Sequence, residues 1–156
     1  MRHPCLVPLS HDHHHGLALA LRCRKQALGR LKPMGAEGLR QRAEEFRDFF
    51  SKELIPHFRA EEEVLFPQMR AHLPVSAAMI ADLLDDHETI RQAIPQLEKE
   101  SGLGKLLFDL GDLLERHIRK EERELFPLLE QHAGELDVDS LADEICQTLG
   151  RPAESR

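Results

Sequence analysis

Two stretches of this chain place a histidine four residues ahead of a glutamate within the same surrounding sequence. HFRAEEEVLFPQM at 57–69 is nearly repeated as HIRKEERELFPLL at 117–129. His57/His117, Arg59/Arg119, Glu61/Glu121, Glu62/Glu122, Leu65/Leu125, Phe66/Phe126 and Pro67/Pro127 fall in register, and His72 and His132 keep the same offset. On an α-helix, residues i and i+4 share a face about one turn apart. Each copy therefore presents an imidazole and a carboxylate together, a donor pair that suits Fe, Mn or Zn. One such pair is common on solvated helices. Two copies inside matching flanks read as a duplicated ligand pair, the halves of a two-fold metal site.

The elements that must carry these pairs are helices. Leu, Ala, Glu, Arg and Gln are plentiful, while Trp and Tyr are absent, a composition that favours helix over strand. Ser10 is a plausible N-cap for a first helix running to about Leu31, where KPMG at 32–35 ends it. A second covers roughly 37–72, stopped by Pro74; a third roughly 75–100, stopped by SGLG; a fourth roughly 105–132, closed by Gly134. Asp137 or Asp139 could cap a short fifth helix to Leu149, with Gly150 just beyond. The expected fold is all-α: an up-down-up-down four-helix bundle over 1–135, with 136–156 a short C-terminal helix and tail of the same domain. Pro56, Pro67, Pro95 and Pro127 fall inside these helices. Each removes a backbone hydrogen bond and bends its helix, and Pro56 is placed to re-aim His57.

A helical wheel sets His57 on the stripe of Phe50, Leu54 and Val64, and His117 on that of Leu110, Leu113 and Leu114. His87 shares a stripe with Ile80, Leu83 and Ile90, and His14 shares one with Leu17, Leu21 and Leu28. Each long helix thus aims one histidine at the bundle axis, and two add Glu61 and Glu121. His14 is chosen from the HDHHH cluster because His14-x-x-Leu17 parallels His87-x-x-Ile90, and His11, about 60° away, is a candidate fifth imidazole. Glu62 and Glu122 fall about 140° and Glu63 about 120° from their histidines, which suits solvated or helix-flanking positions. Glu124 points inward, as an outer acid, an extra ligand or a residue near the open end of the bundle. Burying Glu61 and Glu121 without counter-charge is costly, and a pair of dications removes that cost. The metal set read from the sequence is therefore His14, His57, Glu61, His87, His117 and Glu121, with His11 as an addition.

The order His, HxxxE, His, HxxxE, with its double HxxxEExxLFP signature, resembles the hemerythrin-like (HHE cation-binding) family over about residues 9–132. The resemblance implies a four-helix bundle around a non-haem di-iron centre, two Fe ions with Zn or Mn as substitutes, and O2, NO or peroxide as small ligand. Oxygen-carrying hemerythrins have a second histidine four residues along the third helix, where this chain has Arg91. Their last carboxylate is an aspartate five residues after the histidine, whereas here Glu121 stands at four and Glu122 at five. The four-His, two-Glu set looks more like the branches tied to oxygen, redox or iron sensing and handling. The alternatives are a di-iron redox enzyme acting on peroxide or NO, or of the iron–sulfur repair type, using Arg91 or Glu124, and a regulatory module that its metal stabilises. A metal and oxygen binder is preferred to a catalyst.

Other classes are disfavoured. A net charge of −7 without a basic stripe argues against nucleic acid and against anionic membranes. MRHPCLVPLS has no long apolar run, so no signal peptide is expected, and no stretch is long enough to span a bilayer. Cys5, Cys23 and Cys146 form no CxxC and no disulfide framework. A reducing cytoplasm and a monomer or homodimer are expected.

Overall fold

The computed structural model describes residues 1–151 and holds four long helical rods and a fifth, short helix. The last residues of the expected tail, 152–156, lie outside the described ones. The first rod is α1 (Val7–Ala27). The second runs through α2 (Gly35–Phe49), α3 (Ile55–Ala60) and α4 (Phe66–His72). The third is α5 (Ala77–Ala93), and the fourth is α6 (Leu103–Lys120) continued by α7 (Phe126–Gln131). α8 (Val138–Leu149) follows, capped by the Asp137 side chain, which accepts from the Ser140 amide, and ended by Gly150 at φ 71°. Asp137 is thus the cap among the two aspartates expected.

Some boundaries differ from those expected, each for a local reason. α1 begins before Ser10, because the Pro4–Leu6 turn, capped by His3, leads straight into it. Ser10 Oγ instead donates to Glu122. Gly29, at φ 73°, ends α1 ahead of Leu31. Pro95 tightens the end of the third rod into a 3-10 turn at Ile94–Glu98, so α5 itself stops at Ala93.

The prolines in the second and fourth rods have a common solution. Three π-helical turns, Phe50–Leu54, Glu61–Leu65 and Glu121–Leu125, each end two residues before a proline, at Pro56, Pro67 and Pro127. Ahead of each proline, the residues Ile55, Phe66 and Phe126 donate five residues back, to Phe50, Glu61 and Glu121. One extra residue is thereby absorbed where the proline ring would clash with a carbonyl. Two of the three turns start on the glutamates singled out by the repeat.

The interior divides into two apolar clusters. One contains Leu6, Leu9, Leu65, Phe66, Met69, Ile80, Leu83, Leu125, Phe126 and Leu129. The other contains Leu19, Phe46, Phe58, Ile90, Leu107, Leu110, Leu114 and Ile118. Along every rod the chain passes from one cluster to the other at a buried ionisable residue: His13, His57 with Glu61, His87, and His117 with Glu121. α8 seals the first cluster with Leu141, Ile145 and Leu149, lying against Pro4–Leu6, α3 and the Glu61–Leu65 turn.

α1 and α6 pack closely because small residues face each other. A Cβ added at Gly111 would lie 2.7 Å from the Ala20 carbonyl oxygen and 3.3 Å from Cys23 Cβ, so the backbones themselves would have to separate. Gly111→Ala should cost about 1–3 kcal/mol, about 2–4 °C of Tm for each kcal/mol in a domain of this size, as read by thermal denaturation. Gly16→Ala should cost less, because the atom its new Cβ would crowd is the side-chain end of Ile118 rather than backbone. A Gly111→Ala protein as stable as the parent would mean that the two helices are not locked at this distance.

Candidate metal centre

The ionisable layer is built by four histidines, each extended from a different rod. His13, His57, His87 and His117 are all buried, with side-chain exposures of 5, 2, 0 and 2%. Glu61 and Glu121 lie among them with no exposure at all. Glu61 Oε1 stands 3.5 Å from His57 Nε2 and 3.1 Å from His87 Nε2. Glu121 Oε1 stands 3.4 Å from His13 Nε2 and 2.9 Å from His117 Nε2. The rings of His13 and His57 are 5.0 Å apart, and those of His87 and His117 4.9 Å. The histidines therefore form two pairs, and each glutamate touches one member of both.

The opposite nitrogen of every ring is held by a second carboxylate. Asp12 takes His57 Nδ1 at 2.9 Å, and Asp86 takes His117 Nδ1 at 2.9 Å. Glu62 takes His87 Nδ1 at 2.6 Å, and Glu122 takes His13 Nδ1 at 2.7 Å. With Nδ1–H donated outward, each imidazole in its neutral form keeps its lone pair on Nε2, aimed inward. This is the carboxylate–histidine arrangement that orients metal ligands. Phe58 stacks on His87 at 3.7 Å and fixes its plane.

The inward atoms lack hydrogen bonds. Both oxygens of Glu61 and of Glu121, and Nε2 of His13, His87 and His117, are buried with no hydrogen-bond partner despite their short approaches. Buried polar atoms are normally satisfied, and leaving them otherwise is costly. Convergent lone pairs with outward protons match a cation better than they match one another. Among the described residues, His13, His57, Glu61 and Glu121 offer ligand atoms within 4.8 Å of one another, as do Glu61, His87 and His117. The donor set fits a metal.

The family comparison agrees. The hemerythrin HHE cation-binding domain matches residues 6–139. The chain belongs to the hemerythrin family. No curated protein and no solved structure matches it significantly. The hemerythrin match spans all four rods and every residue of the layer, so cation binding is the family property to which this cluster answers.

Five of the sequence-derived residues, His57, Glu61, His87, His117 and Glu121, are brought together in the hemerythrin layer. His14 and His11 are not: both are exposed on the outer face of α1. The inward stripe of α1 runs through Leu9, Asp12, His13, Gly16, Leu19, Ala20 and Cys23, whereas Leu21 and Leu28, which had aligned His14, are exposed. The dipeptide Asp12-His13 matches Asp86-His87, and that match would have selected His13 directly. Glu62 and Glu122 are also more than solvated, since each orients a histidine. Glu124 is exposed, and Leu125 and Phe126 face inward in its place, because the π-helical turn shifts the register. Arg91 does not approach the inward atoms. Its Nη2 donates to Glu62 Oε2 at 2.7 Å, and its guanidinium lies over Phe58.

Charge in the metal-free layer is uneven. Burial opposes a charge on His57, but Glu61 and Asp12 outweigh it and raise the imidazole to about 9. His87 is likewise raised against its burial by Glu61 and Glu62. Burial wins at His13 and His117, whose values fall. Glu61 is held well below the carboxylate range against burial by His57 and His87, and Asp12, Glu62 and Glu122 are lowered by the imidazoles they hold.

Two pH effects follow for metal-free protein. The lowered carboxylates contribute stability above their ordinary 3.8–4.5 that is lost as pH falls through the lowered values. The raised His57 contributes stability present below 6.5 and lost as pH rises through about 9. A metal held by His57 would also have to displace its proton. Titrating Zn2+ into weakly buffered protein at pH 7 should release roughly one proton from this residue, with affinity rising up to about tenfold per pH unit below its value. Binding without proton release would count against a protonated His57 among the ligands.

Proposed function

We propose that the layer holds two iron ions, one at His13 and His57 and one at His87 and His117, both bridged by Glu61 and Glu121. We further propose that the protein binds O2 there, or a related diatomic or peroxide, in oxygen, redox or iron sensing or handling. The observation that carries this reading is the set of unpartnered, convergent donor atoms, split into two histidine pairs that share two carboxylates. Bound iron would supply the electrons that such a ligand accepts; Mn would fit the same donors, and Zn would fit them but is redox-inert.

The remaining parts belong to the chain itself. Asp12, Asp86, Glu62 and Glu122 hold the Nδ1 protons and so the tautomer of each ring. Beside His13, His57 and His117 lies a cavity of about 10 Å³, walled by Gly16, Phe49, Leu54, Phe58, Leu114 and Ile118. That is near the space one water-sized sphere occupies, and its apolar walls favour a small uncharged ligand over water. The placements of Arg91 and Glu124 lend no support to the rival reading, turnover of peroxide or NO with these residues delivering charge. Arg91 is spent on Glu62 and Glu124 faces outward.

Iron analysis and optical spectroscopy test the proposal. About two iron atoms per chain, with a spectrum that changes when the anaerobically reduced protein meets O2, are expected. Colourless protein that retains only zinc, or iron indifferent to O2, NO and peroxide, would overturn it.

A further inference from the structure

Three of the four carboxylates behind the histidines rest in turn on an arginine. Arg2 reaches Glu122, Arg91 reaches Glu62 and Arg151 reaches Asp12. The three contacts are not equivalent. Glu122 and Glu62 keep side-chain exposures of 26 and 27%, so water can take over from a lost arginine. Asp12 is only 2% exposed. Its Oδ2 faces His57 and its Oδ1 receives Arg151 Nη2 at 2.5 Å. Without Arg151, one oxygen of a buried carboxylate would lose its counter-charge.

Arg151 stands directly after the Gly150 cap of α8, its amide bonded back to the Cys146 carbonyl. A second guanidinium nitrogen donates to the Pro8 carbonyl at 3.3 Å, in the first turn of α1. The side chain can reach Asp12 only while α8 sits on the bundle, where Leu141, Ile145 and Leu149 seal the first apolar cluster. A line of contacts therefore runs from α8 through Arg151 and Asp12 to His57.

We propose that Arg151 is a positioning residue for the metal position formed by His13 and His57. With α8 docked, it fixes Asp12 and through it the aim of His57 Nε2. Loss of the Arg151–Asp12 contact loosens this position and leaves the one at His87 and His117 in place. The inference rests on the two-position reading given above.

Cobalt(II) serves as the probe. The full chain is loaded with Co2+, and removal by excess chelator is followed through the visible absorption. Wild-type protein should hold two equivalents. In Arg151→Gln, one equivalent should leave about 10–100-fold faster, the range found for outer partners of metal ligands, and the other at the wild-type rate. Arg151→Lys should recover part of the loss. Combining Asp12→Asn with Arg151→Gln should add little to either alone, since the two act in series. Should Arg151→Gln not fold, Asp12→Asn carries the same comparison, because it keeps an acceptor for His57 and removes the charge that Arg151 answers. Two equivalents leaving at wild-type rates would overturn the proposal and leave the two-position reading intact. Both leaving faster alike, with a lowered melting temperature of the metal-free protein, would reduce Arg151 to a general brace. Wild-type protein holding fewer than two equivalents would overturn the two-position reading and the proposal together.

Discussion

On the two-position reading, replacing Glu61 with alanine should weaken metal binding at both positions, whereas replacing one histidine should weaken one. Glu61 stands within 3.5 Å of His57 from one pair and of His87 from the other. Glu121 does the same for His13 and His117. Loss of either carboxylate would therefore remove a ligand from each proposed position and also the negative charge that would allow two dications to lie together in a buried layer. The effect should exceed the roughly 100-fold upper range of outer-partner substitutions at both positions, measured as metal equivalents and affinity by calorimetry. Glu61→Gln should behave similarly, because it keeps the volume but not the charge. A Glu61→Ala protein that still binds one equivalent at full affinity would show that the carboxylates are not shared.

The second large effect lies in α1. His13→Ala should empty one position, while His14→Ala and His11→Ala should leave metal content unchanged. Neighbouring residues on a helix are about 100° apart, so only one of them can share the inward face. His13 is buried, rests on Glu122 and stacks on Phe126 at 5.5 Å, while His14 is exposed. Metal analysis of the three variants decides the matter. Loss in His14→Ala with retention in His13→Ala would require a different rotation of α1.

The bundle, its four rods and the histidines of α3, α5 and α6 were legible because leucine and isoleucine mark the same face as the ligand. α1 misled because its inward face is made of Gly16, Ala20 and Cys23, which allow the close approach to α6, and its larger Leu21 and Leu28 point outward. Apolar size is a poor guide where two helices touch through small residues. Glu124 misled for a different reason. A constant 100° step cannot be carried across a π-helical turn, and the prolines that require those turns were visible only as bends. The outer carboxylates were hidden because each works on a histidine from another rod, so no spacing along one helix reveals Glu62 or Glu122.

That exchange between rods bears on how the duplicated halves depend on each other. Asp12 serves its own half at His57, and Asp86 serves its own at His117, but Glu122 reaches back to His13 and Glu62 reaches forward to His87. The bridging carboxylates cross in the same way. Neither half can assemble a fully ligated and oriented position from its own residues. On the two-position reading, each position draws on both halves, so tight capture of a cation would report that the two halves have met.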